Sequence, residues 1–152
     1  MNGQQDARNV IFTIGYQDKS LDVFIECLRG ACVDVFIDVR ELPLSRKRGF
    51  SKTQLTLRAD REDFTYIHCK ALGSPREIRH RLQKNRDYDA FFSSYHSYIQ
   101  KQRDTLEQLL PVIESQRCCL MCYERDVQLC HRLIVAQELK TMSDKRLEVI
   151  SL

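Results

Sequence analysis

Residues 10–40, VIFTIGYQDKSLDVFIECLRGACVDVFIDVR, hold two short apolar runs on either side of one amphipathic stretch. The first run, 10–14, ends at Gly15-Tyr16. Ser20 then reads as an N-cap, and Leu21, Phe24, Ile25 and Leu28 recur at helical spacing until Gly30 stops the helix. Residues 32–39 are rich in β-branched side chains and read as a second strand. Strand, helix, strand is the opening unit of a parallel α/β sheet. Asp38 and Arg40, two residues apart near the end of that second strand, project from one face.

Downstream, strands and helices continue to alternate, with no internal repeat. ELPLSRKRGF, 41–50, is a basic loop punctuated by Pro43 and Gly49, and Ser51 opens a short helix reaching about Ala59. Residues 64–68 form a third strand, followed by a turn in which Ser74 is expected to cap a helix with Pro75 in its first position. From 76 to 110 the spacing is helical, with one break expected near 85–87. Tyr88, Phe91, Phe92, Tyr95, Tyr98 and Ile99 form an aromatic stripe that reads as core packing. Residues 111–116 are expected to lead into a fourth strand at 118–123. Asp126 is expected to cap a last helix carrying Leu129, Leu133, Ala136 and Leu139, and 147–152 make a fifth strand. The expected architecture is a three-layer α/β domain over residues 1–152, with residues 1–9 flexible. Its sheet would be five-stranded and mostly parallel, with helices on both faces, of the Rossmann or flavodoxin-like kind.

Composition narrows the function classes. The net charge of +3 on 152 residues does not by itself mark a nucleic-acid binder. Basic residues cluster, however, at Arg40, Arg46, Lys47, Arg48 and Lys52, and again at Arg76, Arg79, His80, Arg81 and Lys84. The seven cysteines are an odd number and fall largely within apolar runs. With no signal-peptide layout and no apolar run near the ~20 residues of a membrane span, a cytoplasmic location and no membrane partner are expected. The thiols are then structural, catalytic or metal-bound rather than a disulfide framework.

Ligands of parallel α/β sheets bind beyond the carboxyl ends of the strands. Gly15 and Tyr16, Asp38 and Arg40, His68, and Cys122 with Glu124 all fall at such ends. The densest stretch is CCLMCYERDVQLCHR, 118–132. Cys130 is placed in the first turn of the last helix, where the helix dipole favours a thiolate. His131 follows it, but helical neighbours point about 100° apart, so adjacency alone makes no dyad. Glu124 and His131 are candidate acid/base groups, and Arg40 and Arg132 candidate anion clamps. Lys47 and Arg48 can help cradle a phosphate. Cys122 reads first as structural, and a redox pairing with Cys130 is a minority reading. A metal would use Cys122, Cys130, His131 and His68; paired CxxC knuckles are missing, so zinc or iron is less expected than no metal. Without a glycine-rich phosphate loop, no dinucleotide cofactor is expected.

In order along the chain stand TIGY (13–16), FIDVRELPLSRKRGFSK (36–52), YIHCKALG (66–73) and CYERDVQLCHR (122–132). In combination they closely resemble domain of unknown function family 488, over nearly the whole chain. The resemblance implies a compact α/β domain whose site residues here are Gly15, Tyr16, Asp38, Arg40, Ser45, Gly73, Cys122, Glu124, Cys130, His131 and Arg132. It implies a histidine near Ser151 in related sequences, a position where this chain departs.

The leading expectation is an enzyme, a hydrolase or transferase, acting on a small phosphate-bearing substrate such as a nucleotide or nucleic-acid component. Cys130, Glu124, His131 and Asp38 are its expected catalytic residues. Gly15, Tyr16, Arg40, Ser45, Lys52, His68, Gly73 and Arg132 are its expected substrate contacts. The alternatives are a non-catalytic module that binds nucleic acid or an anion, and a metal-dependent or thiol-redox protein.

Overall fold

A computed structural model describes residues 10–144 and 146–152. The expected flexibility of residues 1–9 lies outside the described residues. Five strands build one sheet: β1 (Val10–Gly15), β2 (Val35–Asp38), β3 (Thr65–His68), β4 (Cys118–Cys122) and β5 (Glu148–Ser151). Six α-helices connect them: α1 (Leu21–Gly30), α2 (Lys52–Glu62), α3 (Arg76–Asn85), α4 (Tyr88–Ile99), α5 (Arg103–Ser115) and α6 (Arg132–Met142).

The strand order is β3-β2-β4-β1-β5, and every pairing is parallel. The sheet is therefore parallel throughout, within the expected three-layer class, and β4 is inserted between β1 and β2. The central strands β2 and β4 are buried along their whole length, whereas the edge strands β3 and β5 are half-exposed. Parallel sheets require this burial, because crossover helices cover both faces.

Alternation along the strands sorts the core into two halves. Phe12, Ile14, Phe36, Cys119 and Met121 pack against Phe24, Ile25 and Leu28 of α1 and Leu55 and Ala59 of α2. Ile11, Val35, Ile37, Cys118 and Leu120 pack against α4, α5 and α6. The division follows from right-handed crossovers: the chain moves one way across the sheet through α1 and α2, then reverses through α3 to α6.

Local expectations were met unevenly. Ser20 caps α1, accepting from the Val23 N–H at 3.2 Å, but Cys32 (φ 55°), not Gly30, takes the left-handed turn after it. The break at Arg86-Asp87 is present, with the Asp87 side chain accepting from the Ala90 N–H at 3.0 Å. A second break, a 3-10 turn at Gln100–Gln102, separates α4 from α5. Residues 111–115, expected as a lead-in to β4, are helical. Leu106, Leu109 and Ile113 continue one buried stripe through Pro111, and that packing offsets the single backbone bond the proline removes. Ser74 does not cap α3: Pro75 holds the cap position, and the buried Ser74 hydroxyl has no hydrogen-bond partner among the described residues.

Candidate functional site

The winding reverses at β4. Its neighbours β1 and β2 both feed helices on one face, while β4 feeds α6 on the other, so a crevice opens above these three strand ends. It is a cleft of about 700 Å³. Two glycines let its walls close in. A Cβ on Gly15 would lie 1.7 Å from the Glu124 carbonyl oxygen, and one on Gly73 would lie 2.1 Å from the Glu41 nitrogen. Only a residue without a side chain fits at either crossing.

On the α1/α2 face, Asp38 and Arg40 form a closed network. Arg40 donates from Nε to Asp38 Oδ1 at 2.8 Å and from Nη2 to Oδ2 at 2.7 Å, a bidentate pair. The Arg40 backbone N–H adds a third bond to Oδ1 at 3.1 Å, and the Tyr66 hydroxyl a fourth to Oδ2 at 2.6 Å. Arg40 Nη1 donates to the Tyr16 hydroxyl at 2.9 Å. His68 Nε2 donates to the Arg40 carbonyl at 2.8 Å, fixing the turn after β2. Burial opposes the Arg40 charge, but its bonds to Asp38 outweigh this and hold it even more firmly protonated than usual. Burial, and then the bond to Asp38, push the Tyr66 phenol far up.

The sulfur cluster lies on the opposite face. After β4 the chain does not enter a helix at Asp126. Asp126 instead caps a 3-10 turn, Val127–Leu129, accepting from the Gln128 N–H at 2.9 Å. Cys130 is extended, with φ −128° and ψ 140°, and α6 begins at Arg132. This corrects the placement of Cys130 in a first helical turn and removes the reason for separating it from His131. Cys130 Sγ lies 3.9 Å from His131 Nδ1. His131 Nε2 is 2.6 Å from the Val39 carbonyl, which can only accept, so this nitrogen carries the proton and Nδ1 faces the sulfur. Cys122 completes the group: its sulfur, the Cys130 sulfur and a His131 ring nitrogen all lie within 4.8 Å of one another.

The charges in this group reinforce each other. Burial opposes ionisation of Cys130, but the Cys122 hydrogen bond, then the His131 charge, hold its thiol well below the ordinary range. Cys122 moves the other way, raised by donating to Cys130 and by burial. Burial works against the His131 charge, yet the neighbouring Cys130 thiolate raises its pKa overall. The half-buried Glu124 carboxyl is raised by burial and then by the Cys130 charge.

Tyr16, Arg40, Ser45, Glu124, Cys122, Cys130 and His131 all line the cleft. The other residues singled out in the sequence are placed behind or beside it. Asp38 is fully buried beneath Arg40, and His68 braces the backbone. Arg132 is 1% exposed and donates to the Glu124 carbonyl at 2.5 Å, tying the loop rather than facing the cleft. Lys52 opens α2 and is exposed outside the cleft, while Lys47 and Arg48 line a separate surface cleft with Arg58 and Arg61.

Sequence reasoning passed over several lining residues. Arg79 and Leu82 on α3 and Arg86 at its C-cap line one side of the cleft, and the three arginines Arg46, Arg79 and Arg86 make it cationic. Arg46 and Arg79 fall within the two basic clusters of the sequence, whereas Leu82 and Arg86 stand outside them. Leu42, Leu44, Tyr123 and Leu129, all at least 40% exposed, form an apolar rim. Isolated leucines in polar loops carry no periodic signal, so their convergence becomes visible only in three dimensions.

A parallel three-layer sheet with polar groups gathered above its winding reversal defines the class: an α/β protein with a ligand-sized cleft at the strand ends. A family model described as "Domain of unknown function DUF488" matches residues 20–139, and the chain belongs to this family. No curated protein and no solved structure matches it.

Proposed function

We propose that the protein is an enzyme acting on a phosphate-bearing substrate, such as a nucleotide or nucleic-acid component. The observation that carries this reading is the join between the two walls of the cleft. The Cys130 sulfur, whose thiol the Cys122 hydrogen bond and the His131 charge hold well below the ordinary range, lies at its floor, and Arg40, Arg46, Arg79 and Arg86 line its sides. A module that only holds phosphate has no use for an ionised thiol.

In this reading Cys130 is the nucleophile. Its sulfur bonds to phosphorus as the P–O bond to the leaving group breaks, and the leaving oxygen takes the Glu124 proton. Transfer of the phosphoryl group to water makes the protein a hydrolase, and transfer to another hydroxyl a transferase; in either case the S–P bond breaks to return the thiolate, and the Glu124 carboxylate takes the proton of the attacking water or hydroxyl. His131 balances the charge on sulfur. Arg40, already held by Asp38, orients the substrate more than it neutralises it, and Arg46 and Arg86, with Arg79 beside its partner Glu41, take the phosphate charge. The apolar rim suits a nucleobase.

The test is phosphate release from nucleotides and short single-stranded oligonucleotides by the native chain, Cys130→Ser and Glu124→Gln. Turnover is expected to vanish in the first and to fall about 10²–10⁴-fold in the second. Full turnover in both variants overturns the assignment. Oligonucleotide binding that weakens steeply with salt, with no turnover, would move the protein to the binding-module class.

A further inference from the structure

We infer that Cys122, Cys130 and His131 form a binding site for one thiophilic divalent cation, zinc being the test ion, with an open coordination position facing the cleft. Sequence spacing argued against a metal because paired CxxC knuckles are missing; Cys119 and Cys122 alone have that spacing, and on one strand they must point to opposite faces. They do point to opposite faces, Cys119 into the α1/α2 core and Cys122 into the other. The chelating pair is instead Cys122 with Cys130. The 3-10 turn Val127–Leu129 brings the second sulfur back over the end of β4.

Three features fit a metal better than chance contact. The three ligand atoms lie within 4.8 Å of one another, and all three side chains are buried. The Sγ–Nδ1 separation of 3.9 Å is close to the ~3.6 Å between sulfur and nitrogen on a tetrahedral zinc, given typical Zn–S and Zn–N lengths. The His131 Nε2–H donates to the Val39 carbonyl, the outer-shell bond that fixes a metal-bound histidine and leaves its other nitrogen free to ligate. All three residues also line the cleft, so a fourth position is open to substrate or water. Two cysteines, one histidine and an open position make a donor set found in catalytic zinc centres.

The inference meets the proposed function at one atom. The Cys130 sulfur that would attack phosphorus is the sulfur that would hold the cation, so occupancy and attack exclude each other. Zinc is then an inhibitor of the thiolate enzyme.

The experiment uses the full chain, untagged and chelator-treated, titrated with Zn²⁺ against a chromophoric chelator and separately with Co²⁺. One equivalent per chain is expected, with a thiolate-to-cobalt charge-transfer band. Cys122→Ser, Cys130→Ser and His131→Gln should each weaken zinc at least ~100-fold, the upper range for losing even an outer-shell partner. The exposed Cys32→Ser should leave the affinity unchanged. Far-UV circular dichroism checks folding, and the two near-isosteric serine variants stand if His131→Gln misfolds. No stoichiometric uptake, or uptake unaltered in Cys122→Ser and Cys130→Ser, overturns the inference. Turnover on the same samples separates the two readings. Activity lost on zinc addition supports both. Activity that requires zinc keeps the metal site and removes the nucleophile. Activity without zinc uptake keeps the nucleophile and removes the metal site.

Discussion

Asp38 with Arg40 and Cys130 with His131 are two buried charge pairs beneath one cleft, on opposite faces of the same sheet. In the first, the carboxylate accepts four bonds, from three Arg40 groups and the Tyr66 hydroxyl. In the second, one thiolate is held by a neighbouring thiol and an imidazole 3.9 Å away. The difference follows from the cations. The Arg40 guanidinium cannot shed its proton, so its charge stays in place and depends on the Asp38 carboxylate. An imidazole can lose its charge near neutral pH, so its partner is free to react or to change ligand without stranding a charge. The first pair is fixed by its bonds, and the second keeps the freedom that the proposed chemistry needs.

Removing one anion from each pair tests this contrast most strongly. Asp38→Ala leaves Arg40 charged and buried, and should cost about 3–5 kcal/mol in urea unfolding. Cys130→Ser in the metal-free protein should cost only about 1 kcal/mol, because His131 can become neutral. Equal losses would erase the distinction. A smaller effect is expected at the edge of the closed network. Tyr66→Phe removes one hydrogen bond to a charged acceptor and should cost about 1.5–3 kcal/mol by the same measurement. A change within error would mean that the arginine alone satisfies Asp38.

The smallest effect concerns Cys69, whose thiol is pushed up to about 11 by burial and then by the Asp38 charge. At pH 9 only about 1% of it is thiolate, so alkylation of this half-buried residue should be slow and quicken about tenfold per pH unit. Asp38→Asn removes the second cause and should quicken it at fixed pH. Mass-mapped labelling with iodoacetamide reads both, and an unchanged rate in the variant would show that Asp38 carries no charge.

The fold was legible because Val10 to Arg40 combines two short β-rich runs with one amphipathic helix, and little else satisfies that pattern. The site's location was legible for a related reason: polar residues at successive strand ends have no place in a core. Its internal pairing was not. Asp38 sits opposite Met121, so Cys122 points to the other face, and nothing in either segment alone encodes that register. Nor does periodicity locate the start of α6, since Leu129, Leu133 and Ala136 suit a helix whether it begins at 127 or at 132. The contact between Cys130 and His131 depends on that choice. Arg132 looked like an anion clamp because its burial and the crossing of the Glu124 loop are tertiary facts.

The insertion of β4 between β1 and β2 also bears on how the chain is made. Synthesis delivers β1, β2 and β3 before the strand that joins them. Until Cys118 emerges, β1 has no parallel neighbour and β2 has only β3, so a nascent chain carries open strand edges of the kind that pair with other molecules. The two halves of the sheet are therefore joined, and the cleft formed, by the same late segment that delivers both sulfurs, with only the edge strand β5 still to follow.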